Sequence, residues 1–505
     1  MSAKVETRVE PPLSPEPSSM LRPDPCALVI FGASGDLAHR KLIPALYALE
    51  FRGLLPESFA VIGVARTENT TEAWRKQVRE SVAEFGRDEM REEVWSRLAS
   101  GMHYVTTDFA AEGGEKSVLE LLEKLDEERG TAGNRVHYLA IPPEAIRTVV
   151  DKLRAARKRV GWTRLIVEKP FGHDLASAKA LNNDIVRHFA ENEIFRIDHY
   201  LGKETVQNVL AFRFANGIFE PIWNRRYIDN VQITVAESIG IEGRAGFYEH
   251  AGAIRDVVQN HLLQLLAITA MEPPADFEAD AVRNEKVKVV RALAPADPEY
   301  VVRGQYGPGE IDNQKVAGYR AEAEVAPDSD TETYVALRTF VDNWRWAGTP
   351  FYLRTGKRLS SRATTIVALF RPAPHPPFLE IAGEGLRPNV LVIHVQPDEG
   401  MSLRIGVKVP GQGMTIQPVH LDFHYDHAFH IHLPEAYERL ILDAMLGDAT
   451  LFTRIDEVEA QWSFVDSVLA QWKDAKPDFP NYAAGSSGPK SADAMMARDS
   501  RVWCQ

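Results

Sequence analysis

Short apolar segments alternate with segments of helical periodicity from residue 26 to residue 172. An apolar run bounded by turn residues is typical of a strand covered on both faces, and one helix between successive strands is the pattern of a doubly wound parallel sheet. The strands are predicted at 26–31, 59–66, 103–109, 135–143 and 163–172. The chain is therefore expected to begin with an α/β domain at residues 26–199.

The pattern changes after about residue 200, where apolar runs follow one another at hairpin-sized distances that favour antiparallel pairing. Strands are predicted at 230–238, 351–357, 364–370, 389–397 and 402–410, and helices at 245–271, 329–345 and 434–446. Residues 200–505 are thus expected to form an α+β domain with a large, mostly antiparallel sheet. One face of such a sheet can remain open for a partner subunit.

The composition excludes several classes of partner. The formal net charge is −13, and a surface of this sign repels nucleic acid and anionic lipid. Cys26 and Cys504 have no CxxC spacing, which argues against a disulfide framework and favours a cytoplasmic location. No run is long and apolar enough for a membrane span. Residues 1–25, rich in Pro, Ser and Glu, are expected to be a disordered extension.

A glycine-containing turn links the first predicted strand to the first helix. Gly32, Gly35 and Ala38 form a G-x-x-G-x-x-A pattern. Glycine lets the backbone approach a pyrophosphate, and the helix N-terminus offers free N–H groups to it. By itself the pattern also fits an ordinary turn between a strand and a helix. Its place near the start of the chain favours a dinucleotide.

The end of the second strand bears on the choice between NAD and NADP. An NAD site usually has an acidic residue there for the ribose 2′-hydroxyl, whereas this chain has Arg66 followed by Thr67. A guanidinium can bind a 2′-phosphate. Arg66 could also be a solvated surface residue, and Glu68 could contact a ribose. The interpretation that we favour is an NADP-binding Rossmann domain.

Residues 196–204, RIDHYLGKE, combine acidic, basic and aromatic side chains. Burial of an unpaired charge is costly, so this composition indicates a ligand or a specific partner. Lys169 leaves the apolar run LIVEKPFG at the carboxyl end of a predicted strand, where doubly wound sheets bind ligands. The alternative for Lys169 is a solvated surface lysine.

Five motifs resemble, in this order, those of glucose-6-phosphate dehydrogenases: GASGDLA (32–38), EKPFG (168–172), RIDHYLGKE (196–204), GRAGFYEHAGAIRDVVQNHLLQ (243–264) and AYERLILDAMLGD (436–448). The resemblance runs from about residue 26 to the C-terminus. It implies oxidation of β-D-glucose 6-phosphate to 6-phosphoglucono-δ-lactone, the first step of the oxidative pentose phosphate pathway. NADP+ would take a hydride from C1 of the sugar.

The resemblance also implies the catalytic pair. Oxidation of a carbon that bears a hydroxyl needs a base for the hydroxyl proton, and histidine is suited to that task at neutral pH. His261 occupies the position of the family's base, and Asp198 matches the carboxylate that orients it. Periodicity alone would make His261 an ordinary core histidine, because it shares a face with Leu262 and Leu265.

The remaining site residues are likewise implied by the resemblance. Cations and a hydroxyl would hold the phosphate, and carboxylates would accept the sugar hydroxyls. The expected substrate contacts are Lys169, His199, Tyr200, Lys203, Glu237, Asp256, Lys357 and Arg362, with Gln396 as a weaker correspondence. The expected cofactor contacts are Gly32, Ser34, Gly35, Asp36, Leu37, Arg66 and Lys169.

Some alternatives remain open at this stage. The histidine-rich segment 420–432 invites a metal interpretation, but hydride transfer to NADP needs no metal and no functional metal site is expected. The chain could instead oxidise an unphosphorylated sugar, although His199, Lys203 and Lys357 argue for an anionic one. It could also be a catalytically silent NADP-binding regulator. A homodimer or homotetramer, assembled through the C-terminal sheet, is expected.

Overall fold

The structure is a computed structural model that describes residues 22–155, 160–375, 377, 387–411, 413–429, 433–473 and 475–504. Residues 1–21 of the predicted extension lie outside these ranges. Among the described residues, no helix combines the length and the apolar character that a membrane span requires.

Six parallel strands form the first sheet, in the spatial order β3-β2-β1-β4-β5-β6. They are β1 (Cys26–Phe31), β2 (Phe59–Ala65), β3 (Met102–Thr106), β4 (Arg135–Leu139), β5 (Thr163–Val167) and β6 (Ile194–Arg196). Every residue of β1 and β2 is buried, because helices cover both faces. The predicted Rossmann-type architecture is confirmed, while the domain boundary at residues 199 and 200 stays a prediction.

The helices of this first part connect the strands in sequence. They span Ala38–Leu42, which continues directly into Ile43–Phe51, and then Thr71–Phe85, Glu92–Ser100, Lys116–Arg129, Pro143–Ala155 and Leu175–Val186. The strand order reverses between β1 and β4, and an open sheet of this kind binds ligands where its order reverses, beside the carboxyl ends of the strands.

Eight strands form the second sheet, in the order β17-β16-β15-β14-β7-β13-β12-β8. They are β7 (Ile228–Ala236), β8 (Val301–Gly304), β12 (Tyr334–Phe340), β13 (Pro350–Gly356), β14 (Ala363–Phe370), β15 (Val390–Gln396), β16 (Gly400–Lys408) and β17 (Ile416–His424). Only β7 and β13 pair in parallel, and the other neighbours are antiparallel. The expected large, mostly antiparallel sheet is therefore confirmed.

One predicted helix is wrong. Residues 329–345 contain the strand β12 instead, which lies between β13 and β8 and is buried along most of its length. Leu337 and Val341 are spaced as in a helix, but the segment YVALRTF has apolar side chains for both faces of a covered strand. The tertiary pairing decided between the two patterns.

Four short strands lie outside the two large sheets: β9 (Tyr306–Gly307), β10 (Gly309–Ile311), β11 (Gln314–Val316) and β18 (Tyr482–Ala483). The helices of the second part are Glu204–Phe214, Ala245–Ala253, Ile254–Leu262, Leu263–Ala270, Ala279–Arg291, Tyr425–Phe429, Ala436–Leu446, Ile455–Trp472 and Lys490–Arg498.

The predicted helix 245–271 is present but broken. Gly252 has φ +61° and ψ 179°, and a new helical segment with wide π-type turns, Ile254–Leu262, starts after it. The segment runs beneath the second sheet and continues into Leu263–Ala270. It carries both Asp256 and His261.

Candidate active site

Three of the predicted site residues, Lys169, Asp198 and His261, meet where the carboxyl ends of β5 and β6 approach the broken helix. Lys169 follows the last residue of β5 by two positions, and Asp198 follows the last residue of β6 by two positions. Both side chains contact His261. This is the sheet edge at which a doubly wound fold places its ligands.

Asp198 and His261 form a buried pair. The Nδ1 atom of His261 lies 2.6 Å from Oδ1 of Asp198, and the same oxygen accepts a hydrogen bond of 3.0 Å from the backbone N–H of Tyr200. Burial would raise the pKa of Asp198, but the adjacent imidazole outweighs it and holds that pKa below its ordinary value. The carboxylate is therefore charged at neutral pH and keeps a proton on Nδ1.

The other ring nitrogen of His261 faces a cation. Nζ of Lys169 lies 2.9 Å from Nε2 of His261 and 3.0 Å from the backbone oxygen of Asp256. Burial lowers the pKa of His261, Asp198 opposes that shift, and Lys169 adds to it, with a net pKa below the ordinary value. The ring is thus neutral near pH 7, and its Nε2 lone pair can accept a proton.

Aromatic rings enclose the imidazole. The ring of Tyr200 stacks on His261 with centroids 4.2 Å apart and an angle of 24° between the planes, and His199 meets it edge-on at 4.7 Å. The Tyr200 hydroxyl lies 3.3 Å from Oγ1 of Thr364, which also accepts a hydrogen bond of 3.0 Å from Gln396. Thr364 was missed by sequence reasoning, because nothing in its local sequence marks it.

Two carboxylates and a buried lysine line the next part of the site. Nζ of Lys357 lies 2.6 Å from Oε2 of Glu237 and 3.9 Å from Oδ2 of Asp256. Glu237 directly follows β7, and Lys357 directly follows β13. Because these two strands pair in parallel, both side chains lie at the same edge of the second sheet. Burial would raise the pKa of Asp256, but Lys169 and Lys357 hold it below its ordinary value.

A further cationic region lies beyond Tyr200. The ammonium of Lys203 lies 5.6 Å from the centre of the Tyr200 ring and makes no ion pair with the described residues. Burial lowers the pKa of Lys203, while Glu399 and Glu435 oppose that shift. Arg362 is exposed, and its Nη2 lies 3.5 Å from Oε1 of Gln396.

The predicted cofactor turn is open to solvent. Gly32 has φ +87°, and a Cβ there would overlap the backbone oxygen of Ala140. Ser34, Gly35 and Asp36 are exposed and Leu37 is half-buried. The turn thus has a glycine where no side chain fits and exposed residues before the helix. Such a turn can bind a pyrophosphate.

Arg66 stands at the end of β2, one residue beyond Ala65. Its side chain is exposed and makes no ion pair with the described residues. The neighbouring Thr67 donates a hydrogen bond of 3.1 Å to Oγ of Ser34, which ties this strand end to the glycine turn. The turn and the guanidinium therefore belong to one surface. Glu68 is exposed there too.

Among the described residues, one group of side chains resembles a metal site. Ligand atoms of Asp198, His199 and His261 lie within 4.8 Å of one another. The Lys169 ammonium at 2.9 Å from Nε2 disfavours a second cation there. In the histidine-rich segment, Nδ1 of His420 lies 3.1 Å from Oγ of Ser402, and His430 and His432 lie outside the described residues. That no metal takes part stays a prediction.

Comparisons with known proteins cover almost the whole chain. The sequence models described as "Glucose-6-phosphate dehydrogenase, NAD binding domain" and "Glucose-6-phosphate dehydrogenase, C-terminal domain" match residues 29–208 and 210–504. The chain is 50% identical over 486 residues to glucose-6-phosphate 1-dehydrogenase 2 of Mycobacterium bovis, covering 95% of this chain and 94% of the relative. It is 46% identical over 483 residues to glucose-6-phosphate 1-dehydrogenase of Bacillus subtilis, covering 94% and 97% of the two chains.

Solved structures give the same result. A glucose-6-phosphate dehydrogenase in complex with its substrate glucose 6-phosphate superimposes with a TM-score of 0.87 at 35% identity, covering 96% of this chain and 99% of that one. Glucose-6-phosphate 1-dehydrogenase from Mycobacterium avium superimposes with a TM-score of 0.82 at 38% identity, with the same coverage. The chain belongs to the glucose-6-phosphate dehydrogenase family.

Proposed function

We propose that this chain oxidises β-D-glucose 6-phosphate at C1 to 6-phosphoglucono-δ-lactone and reduces NADP+ to NADPH. The observation that carries the proposal is the buried pair of Asp198 and His261, in which Asp198 contacts Nδ1 and Nε2 lies 2.9 Å from the Lys169 ammonium. The reaction requires such a proton acceptor, together with a site for the hydride acceptor and a site for the anionic phosphate.

His261 acts as the general base in this proposal. Its Nε2 takes the proton of the C1 hydroxyl while hydride leaves C1, and the electron pair of the O–H bond forms the C=O bond of the lactone. The carboxylate of Asp198, 2.6 Å from Nδ1, stabilises the imidazolium that results. NADP+, when bound, supplies the hydride acceptor.

Lys169 sits where the C1 hydroxyl must arrive. Its ammonium occupies Nε2 of His261 at 2.9 Å and is anchored to Asp256 at the same time. A bound sugar would displace the ammonium from Nε2, and the ammonium would then donate a hydrogen bond to a sugar oxygen. Lys169 would then contact both substrate and nicotinamide.

The two ends of the sugar phosphate find different partners. Lys203 and Arg362, with His199 and Tyr200, would bind the phosphate dianion through charge-assisted hydrogen bonds. Glu237 and Asp256 would accept sugar hydroxyls, and Lys357, which contacts both carboxylates, holds them in place. The family resemblance also implies that Lys357 donates to the phosphate.

Arg66 would bind the 2′-phosphate of NADP, because its guanidinium is exposed beside the glycine turn and makes no ion pair with the residues that the structure describes. Assembly as a homodimer or homotetramer through the second sheet, in the cytoplasm, is also part of the proposal. It is supported by exposed apolar side chains on the last two strands at one edge of this sheet, with Val407 on β16 and Leu421 on β17.

The proposal is tested by mixing purified protein with glucose 6-phosphate or glucose and with NADP+ or NAD+, and following the absorbance of the reduced cofactor. Turnover of glucose 6-phosphate with NADP+ is expected. Turnover of glucose alone would favour an oxidoreductase of unphosphorylated sugars. Absence of turnover with every pair would favour a silent NADP-binding regulator.

The base is tested by His261→Asn, for which we expect turnover to collapse while the affinity for glucose 6-phosphate stays near that of the wild type. An active variant would exclude His261 as the base.

A further inference from the structure

The helix that carries Asp256 and His261 begins at a break in the backbone. Gly252 has φ +61°, a region that favours glycine, and ends the regular geometry of the helix Ala245–Ala253. The segment Ile254–Leu262 then starts after this kink. A helix that starts in this way leaves its first backbone N–H groups without partners inside the helix.

Glu332 supplies partners for two of these N–H groups. Its backbone oxygen accepts a hydrogen bond of 2.9 Å from the N–H of Ala253, and its Oε1 accepts one of 3.1 Å from the N–H of Ile254. A Cβ on residue 252 would overlap the same carboxylate. The glycine and the glutamate therefore fit each other, although they lie in distant parts of the sequence.

The environment of this carboxylate is unusual. Glu332 is 7% exposed and forms no ion pair within 4.0 Å among the described residues. Burial raises the pKa of Glu332, while the N–H of Ile254 opposes that shift. A buried carboxyl group without a cation is costly, and a shorter apolar residue before β12 would avoid that cost. Its hydrogen bonds to the helix start are the contacts that offset it.

The helix start leads directly to the substrate side of the site. Asp256 is two residues after Ile254, and its backbone and side-chain oxygens both contact Lys169, which in turn contacts His261. A shift of the first turn would therefore move a carboxylate that is proposed to bind the sugar. It would have a smaller effect on the cofactor turn, which belongs to the other sheet.

We infer that Glu332 is a positioning residue for the oxidation of glucose 6-phosphate. By accepting a hydrogen bond from the N–H of Ile254, it fixes the start of the catalytic helix, Ile254–Leu262, and thereby the position of Asp256. This inference rests on the proposed function. It assigns to Glu332 an effect on the binding of the sugar through its reach, and a smaller one on the binding of NADP+.

Two substitutions distinguish the length of the Glu332 side chain from its negative charge. Glu332→Asp keeps the charge but shortens the side chain by one methylene, so the hydrogen bond to Ile254 is lost. Glu332→Gln keeps the length and an acceptor oxygen but removes the charge. We expect Glu332→Asp to raise the KM for glucose 6-phosphate at least fivefold and to lower kcat, with a smaller change in the KM for NADP+. We expect Glu332→Gln to stay within about twofold of the wild type in all three constants.

The matched control is Glu249→Gln. The Glu249 carboxylate accepts a hydrogen bond of 2.8 Å from Ser329, in the same segment as Glu332, but among the described hydrogen bonds it accepts none from the N–H of Ile254. Its kinetic constants should equal those of the wild type. A purely structural role for Glu332 would reduce the amount of active enzyme and leave both KM values unchanged, so that result overturns the inference.

Impairment of Glu332→Gln together with a Glu332→Asp variant that stays near the wild type would overturn it as well, since charge would then matter and reach would not. The wild type, measured with glucose 6-phosphate and NADP+ in the same series, keeps the two claims distinct. An inactive wild type contradicts the proposed function. An active wild type with an unaffected Glu332→Asp variant contradicts only the role of Glu332.

Discussion

Asp198→Asn tests the central electrostatic claim about the site, namely that a carboxylate stabilises the imidazolium of His261. The substitution changes little in volume but removes the charge. Oδ1 of Asp198 accepts hydrogen bonds from both His261 and the backbone N–H of Tyr200, so an amide oxygen is expected to take that position. The second oxygen is buried without a hydrogen-bond partner among the described residues, and the amide NH2 would take its place.

The magnitude follows from this geometry. Opposite charges about 4 Å apart interact by about 4 kcal/mol at an effective dielectric constant of about 20. A change of about 1.4 kcal/mol in the barrier alters the rate about tenfold. Because the amide oxygen still orients the ring, we expect kcat to fall by about 10²- to 10³-fold through the loss of charge. A flipped amide would also change the tautomer, and a comparable loss of tautomer in serine proteases costs about 10⁴-fold.

The assay is the initial rate of NADPH formation at varied glucose 6-phosphate. The KM for the sugar should change little, because Asp198 contacts His261 and not the proposed sugar position. Asp443→Asn is the control, since Asp443 is a buried carboxylate paired with Arg439 at 2.9 Å on the helix Ala436–Leu446. A kcat for Asp198→Asn within tenfold of the wild type would refute the reasoning.

Three further outcomes are expected. Lys203→Ala should raise the KM for glucose 6-phosphate at least about tenfold with a small change in kcat, because the variant lacks the ammonium that would bind the phosphate. Initial-rate kinetics measure both constants, and an unchanged KM would remove Lys203 from the phosphate site. Arg66→Ala should raise the KM for NADP+ about tenfold and leave that for NAD+ unchanged, which a comparison of the two cofactors checks. Wild-type kcat/KM should fall as the pH drops through the pKa of His261, which lies below its ordinary value. Lys169→Met removes a neighbouring positive charge that lowers this pKa, so the acid limb of the pH profile should move to higher pH; a limb at unchanged pH contradicts the contact.

The first sheet was predictable because its strands are apolar on both faces. Burial of every residue of β1 and β2 makes the apolar run visible in the sequence without any tertiary information. The glycine turn was visible for a related reason, since Gly32 adopts a conformation and a close contact that exclude other side chains.

The second sheet was harder to predict from the sequence. β12 was mistaken for a helix because a strand covered on both faces has no period of two, and β17 escaped notice because the histidines of residues 420–432 drew a metal interpretation. The family motifs provided the candidate site residues. The helical spacing of the apolar residues around His261 would by itself have made this histidine a core residue.

By itself, the sequence determined the fold class and the list of chemically capable side chains, because strand burial, turn geometry and residue type are local properties. Tertiary structure decided which of them meet. Asp198 and His261 are 63 residues apart, Lys169 and His261 are 92 apart, and Lys357 reaches Glu237 across 120 residues. Glu332 reaches the start of the catalytic helix over 78 residues. No local pattern encodes such distances, since they arise only when two sheets and the helix between them pack together.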